Sequence, residues 1–152
     1  MGAVREKTTV KLRASAQGIS HSRTDVAIRD LSLTIDEPQA RGGTNLGPTP
    51  TDTALAALAA CTNVIGNKVA AKLGFELARI EVDIVCDFDR RGVTLTDEID
   101  VPFVELVQTV TVHGALSEDQ VMQIGSDVAR FCPLSKLFEQ AGTKLTTNWR
   151  KA

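Results

Sequence analysis

The chain has little excess charge of either sign. Its 152 residues carry 17 Lys and Arg against 19 Asp and Glu, a formal net charge of −2. The broad basic surface that nucleic acid requires is therefore not expected. There is no run of about 18 apolar residues, so no membrane span is expected. Met1 to Lys7 lacks the apolar core of a signal peptide, which points to the cytoplasm. The glycines form neither GxGxxG nor a P-loop, and so serve bends rather than phosphate binding. The two histidines, His21 and His113, stand far apart, and there is no CxxC or HxxxH spacing. Neither a metal nor another cofactor is expected. Internal repeats and low-complexity tracts are absent. Hydrophobic content of 43% and charged content of 24% fit a single globular domain over residues 1–152.

Cysteine is scarce, at three residues, but two of the three stand where chemistry is favoured. Cys61 lies in Ala57-Leu58-Ala59-Ala60-Cys61-Thr62-Asn63, inside a long apolar helical stretch. Cys132 immediately precedes Pro133, which can open a new helix. A cysteine at a helix start feels the positive end of the helix dipole, which favours its thiolate. In a compartment where lasting disulfides are rare, the pair points to thiol redox work rather than structural stapling. Cys86 sits in the alternating run Ile84-Val85-Cys86-Asp87-Phe88 and reads as a small packing residue.

The remaining pattern is mixed. Thr8–Ala14, Thr24–Ile28 and Leu31–Ile35 alternate as strands. Gln17–Ser22 forms a turn between the first two, and Arg29-Asp30 a hairpin corner between the second and third. Asp36–Pro50 is a long loop broken by Pro38, Gly42, Gly43, Gly47, Pro48 and Pro50. Thr49 as N-cap and Pro50 at the first position open a helix that Gly74 stops after Leu73. The apolar run Ala54–Ala60 within it calls for covering on most sides, which a second subunit would supply. Strands follow at Ile80–Arg90 and Phe103–Gly114. Ser117 and Gln120 form a capping box for a helix to Phe131. Pro133 starts a third helix to Gln140, and Thr143–Trp149 is a last strand. The order is that of an α+β fold, with antiparallel pairing expected.

Three segments together resemble the OsmC/Ohr family of thiol-dependent peroxide-reducing proteins. They are Asp36-Glu37-Pro38 with Gly42-Gly43-Thr44-Asn45 and Gly47-Pro48-Thr49-Pro50, then Ala59-Ala60-Cys61-Thr62, then Cys132-Pro133-Leu134-Ser135. The resemblance implies an intertwined homodimer, with antiparallel sheets wrapped around long central helices and active sites at the subunit interface. It implies that Cys61 attacks a hydroperoxide and becomes a sulfenic acid, that Cys132 resolves it to a disulfide, and that an external thiol reductant resets the pair. A second thiol beside a sulfenic acid protects it from irreversible oxidation, and dithiol exchange closes the cycle.

Thiolate chemistry also needs a cation to hold Cys61 ionised and to polarise the departing oxygen. One branch of the family places an arginine in the N-terminal region and a glutamate directly after the last loop proline. Here Thr51 follows Pro50, and Asp52 one step on takes the acidic position. Arg23, then Arg29, then Arg41 are the candidates for the arginine. Apolar pocket walls would favour organic hydroperoxides. The departure at Thr51 leaves a second reading open, an OsmC-like binding or sensing protein with little turnover. A third is a structural dimer subunit with inert cysteines.

Overall fold

The computed structural model describes residues 8–152; the Met1–Lys7 segment weighed above for a signal peptide lies outside them. The described chain divides into two compact units, one up to Thr53 and one from Ala54.

The first unit holds a three-stranded antiparallel meander, β1 (Ser15–Gly18), β2 (Thr24–Ile28) and β3 (Leu31–Ile35). The β2–β3 corner at Arg29 adopts φ 57°, a left-handed geometry that two-residue hairpin turns require. Thr8–Ala14 is not the strand that its alternation suggests. Pairing starts at Ser15, opposite Ala27, and ends with Gly18 opposite Thr24. Those four residues occupy the edge of the five-residue β2, and Thr8–Ala14 finds no strand opposite it among the described residues. The turn is correspondingly shorter, with Ile19 N–H donating to the Arg23 carbonyl at 2.8 Å.

After β3 the chain loops, with one 3-10 turn at Gln39–Arg41, around the buried carboxylate of Asp36. That carboxylate accepts the N–H groups of Glu37 (2.8 Å), Thr44 (3.1 Å) and Leu46 (3.1 Å), and the Thr44 hydroxyl. Gly43 is required here, because a Cβ would collide with the Glu37 backbone. These charge-assisted bonds hold the Asp36 carboxyl far below the usual carboxylate range, the Thr44 hydroxyl acting most strongly.

Helix α1 (Pro50–Leu73) begins at the end of this unit and supplies most of its length to the second. Alone among the described helices it has the length and apolar composition to cross a bilayer. Its stripe Leu58, Thr62, Gly66, Val69 and Ala70 is instead buried against a second sheet. That sheet has the order β4 (Arg79–Phe88), β5 (Phe103–His113), β6 (Lys144–Lys151). β4 and β5 are antiparallel, whereas β6 runs parallel to β5. The expected antiparallel pairing holds for the other ladders and gives way to parallel pairing at this one. The connection between β5 and β6 contains two helices, α2 (Glu118–Phe131) and α3 (Pro133–Gln140), long enough to return the chain to the starting end of the sheet.

The helices share one face of the sheet. Leu106, Val110 and Val112 of β5 pack with Leu58, Val121, Ile124, Val128 and Phe138 in one core, each large side chain contributing roughly 1.5–3 kcal/mol by its burial. Cys86 packs against that core with Ile84 and Val82, as its place in the alternation suggests. On the opposite side of α1, Val64 is 48% exposed among the described residues.

Candidate active site

Local rules place Cys132. α2 starts at a full capping box, in which Gln120 N–H donates to Ser117 Oγ (3.2 Å) and Ser117 N–H to Gln120 Oε1 (2.9 Å). It stops because Pro133 forces the residue before it out of the helical region. Cys132 accordingly takes φ −69°, ψ 112° and is both the C-cap of α2 and the N-cap of α3. Its N–H closes α2 on the Val128 carbonyl at 2.8 Å. Its sulfur accepts the Ser135 N–H at 3.5 Å, in place of the oxygen of an ordinary cap. The residue is fully buried.

Cys61 comes from the middle of α1, half-buried. Its sulfur lies within hydrogen-bond reach of the Cys132 thiol and of the Leu134 backbone N–H. The two sulfurs, far apart in sequence, therefore come together at the α2–α3 junction, where the Ser135 N–H donates to Cys132. Both are free thiols. Burial pushes the Cys61 thiol up from its ordinary value, and the neighbouring Cys132 thiol adds to the rise. The Leu134 N–H and the Lys68 ammonium, two helical turns further along α1, act in the opposite direction without overcoming it. Lys68 is a cation that sequence reasoning missed. The signal was its spacing of seven from Cys61, which returns to nearly the same face of a helix.

The proposed organisers each have local partners or positions of their own. Asp52 is in the first turn of α1, about 13 Å along the helix axis from Cys61 at 1.5 Å per residue. It is engaged in capping: Thr49 N–H donates to its carboxylate (3.3 Å), and its own N–H donates to Thr49 Oγ1 (3.1 Å). Arg23 makes a two-pronged pair with Asp25, at 3.2 and 3.0 Å, and Asp25 also accepts the Thr34 hydroxyl at 2.9 Å. Arg29 is exposed at the hairpin corner. Arg41 pairs with Glu37 at 2.7 Å. All three arginines belong to the first unit and both thiols to the second. No cluster of three or more His, Cys, Asp or Glu suited to a metal forms among the described residues.

Beneath Cys61 lies a buried polar group that the sequence pattern did not announce. Thr62 Oγ1 donates to Gln108 Oε1 at 3.0 Å, and Gln108 Nε2 donates to Thr147 Oγ1 at 3.2 Å. These three side chains and Ser135 line a cavity of about 310 Å³ that also touches Gly125 and Trp149.

No functionally curated protein matches this sequence. The model of the family described as "OsmC-like protein" matches residues 43–148, a span that contains both thiols. Among solved structures, the OsmC-like protein of Mycoplasma pneumoniae superposes with a TM-score of 0.76 at 19% identity, covering 94% of this chain and 96% of that one. An organic hydroperoxide resistance protein OsmC of Legionella pneumophila gives 0.67 at 17% identity, with 93% and 99% covered. The organic hydroperoxide resistance protein OhrB of Bacillus subtilis gives 0.62 at 19%, with 91% and 97% covered. These likenesses establish the fold, and with the family match over most of its length the chain belongs to the OsmC-like protein family.

Proposed function

We propose that this protein reduces organic hydroperoxides by a two-thiol cycle. The observation that carries the reading is the approach of Cys61 and Cys132 at the α2–α3 junction. In the first step the Cys61 thiolate attacks the terminal peroxide oxygen. The O–O bond breaks, the sulfur becomes a sulfenic acid, and the alkoxide leaves as an alcohol after taking a proton. In the second step the Cys132 sulfur attacks the sulfenic sulfur, forming the disulfide and releasing water. An external dithiol then exchanges with the disulfide and restores both thiols. Backbone N–H groups at a helix N-terminus favour the negative sulfur at each stage. Relatives named as organic hydroperoxide resistance proteins support the substrate class.

The cation for Cys61 would come from Arg23 or Arg29, and the working form would be a homodimer in the cytoplasm. The exposed Val64 of α1 and the exposed Leu31 and Leu33 of β3 support a second copy as their cover. Asp52 would act at a distance from its own Cys61, by fixing the start of α1. Stopped-flow oxidation of reduced protein with an alkyl hydroperoxide, followed by mass spectrometry of the Cys61–Cys132 disulfide, tests the cycle. Oxidation faster than that of free cysteine is expected, and a rate no faster would refute it.

Two observations favour the slower alternative, a binding or sensing protein. Burial holds the Cys61 thiol above its ordinary value, and Arg23 is already engaged by Asp25. That reading calls for sluggish oxidation and a ligand that survives purification, visible by native mass spectrometry.

A further inference from the structure

Core-facing positions of β5 are apolar at Leu106, Val110 and Val112, yet Gln108 between them is equally buried, at 1% exposure. An amide in such a place costs stability unless its hydrogen bonds are made. Gln108 makes one to Thr62 of α1 (3.0 Å) and one to Thr147 of β6 (3.2 Å). Thr62 is fully buried. Its hydroxyl also lies 3.0 Å from the Leu58 carbonyl one turn back, so its single proton is shared between two acceptors. One turn further along α1, Gly66 presses the helix so close to the sheet that a Cβ would come within 2.7 Å of Ile80. Close packing at Gly66 sets the height of α1, and the directional bond at Thr62 sets its rotation.

Rotation matters because Cys61 is the residue before Thr62. Successive side chains on a helix point about 100° apart. Once Thr62 is held down onto Gln108, the direction of Cys61 is determined. Cys132, by contrast, is fixed independently by the α2–α3 junction. The two sulfurs come from elements anchored separately, and apolar contacts alone would let α1 roll slightly without losing burial.

We propose that Thr62 and Gln108 are positioning residues for the Cys61–Cys132 pair, and that their hydrogen bond aims the Cys61 sulfur at Cys132. This rests on the reading that the two thiols close to a disulfide, but not on peroxide being the oxidant. The bond does no chemistry itself. It holds α1 in the one rotation from which the S–S bond can form, since small misplacements of reacting atoms cost up to about a hundredfold in rate.

The test uses the full-length reduced protein and the oxidant diamide, with closure of the Cys61–Cys132 disulfide followed by quenched alkylation and mass spectrometry. Diamide takes two electrons and two protons from the thiol pair and becomes the hydrazine. Thr62→Val and Gln108→Met are each expected to slow closure by about tenfold or more, and the double variant no further, as a shared interaction requires. Thr62→Ser, which keeps the hydroxyl, is expected to stay within about twofold of the parent. Denaturant midpoints measured in parallel confirm folding, and Gln108→Met serves if Thr62→Val does not fold. Equal closure in parent, Thr62→Val and Gln108→Met would overturn the proposal and leave the disulfide reading intact. Slowing in Thr62→Ser equal to that in Thr62→Val would also overturn it, because the hydroxyl would not be the cause. A parent protein that never closes would remove the disulfide reading and this proposal together.

Discussion

The backbone N–H of Ser135 donates to the sulfur of Cys132 at 3.5 Å, so the resolving thiol of the proposed cycle is also the N-cap of α3. A cap and a reactive group make different demands. A cap must stay in place, and a resolving thiol must turn toward its partner. Because Cys61 already lies within hydrogen-bond reach of Cys132, little movement is needed. Forming the disulfide weakens the sulfur as an acceptor and leaves the Ser135 N–H less well satisfied. Oxidation is therefore expected to fray the first turn of α3. Amide exchange at Ser135 and Lys136 should be faster in the oxidised than in the reduced protein, and equal exchange would argue that the cap plays no part.

Replacing Cys132 by serine keeps a capping oxygen while removing the second thiol. The helix should hold, since serine is among the preferred N-caps. After one equivalent of hydroperoxide, Cys61 should persist as a sulfenic acid that dimedone labels. With excess peroxide it should advance to the sulfinic acid, which a resolving thiol prevents. Intact mass of the variant against the parent reads both species. A parent that over-oxidises as readily as the variant would remove Cys132 from the cycle.

The sign of the pH dependence follows from burial. The Cys61 thiol is raised above its ordinary value of 9.0, so folding favours the protonated form. Its contribution to stability is full below the unfolded thiol value and is lost as pH rises through the folded one. Alkylation by iodoacetamide, which reads the thiolate, should climb through pH 9 rather than level off near neutrality. Lys68 opposes the rise. Lys68→Met should slow alkylation at pH 8 by about threefold at most, because solvent screens an exposed ammonium, and Lys68→Arg should restore it. An inflection near neutrality in the parent would instead mark a guanidinium delivered by assembly.

Most of the fold was legible because its signals are local. Thr49-Pro50 and Gly74 bound α1, the Ser117/Gln120 box opens α2, and Pro133 divides α2 from α3; each is a rule about neighbouring backbone. The meeting of Cys61 with Cys132 was legible only through the resemblance of whole segments, since no spacing rule joins residues that far apart. Three features stayed hidden for the same reason. The parallel β5–β6 ladder depends on where a long crossover lands. Thr8–Ala14 alternates well but lacks a strand to pair with. Gln108 reads as one polar residue in Val107-Gln108-Thr109, and its burial appears only when α1 and β6 close over it. Asp52, which the resemblance marks as an organiser of the site, forms a reciprocal cap with Thr49, a role that its place three residues after the cap also suggests.

Asp36 organises the loop before α1 by charge, with three N–H groups and a hydroxyl converging on its carboxylate. Its carboxyl is depressed, so the stabilisation is present above the ordinary carboxylate range and is lost only as pH falls below it, through the folded value. The loop should stay closed at pH 5. Asp36→Asn replaces one acceptor oxygen by a donor that faces other donors. The variant should be cut by protease between Glu37 and Pro50 at least about tenfold faster at pH 7, because a buried group left unsatisfied costs of the order of 1–3 kcal/mol. Equal cutting rates would mean that the glycine turns alone hold the loop.

Gly125 and Trp149 test the packing beneath the site. A Cβ at Gly125 would stand 2.6 Å from Cδ1 and Cγ of Trp149 and 2.9 Å from Nε1. The neighbour is a rigid ring rather than a flexible tip, so either the ring or α2 must move. Alanine gains up to about 1 kcal/mol of helix propensity over glycine, whereas forced overpacking costs about 1–3 kcal/mol. Gly125→Ala should therefore be neutral to about 2 kcal/mol less stable. Trp149 is the sole tryptophan and lines the cavity with Thr62 and Ser135, so its fluorescence reports the displacement directly. A shifted emission maximum with slower diamide closure would tie the α2–β6 contact to the alignment of the thiols. A shifted maximum with unchanged closure would confine the ring's movement to the cavity, and an unchanged spectrum would contradict the close approach itself.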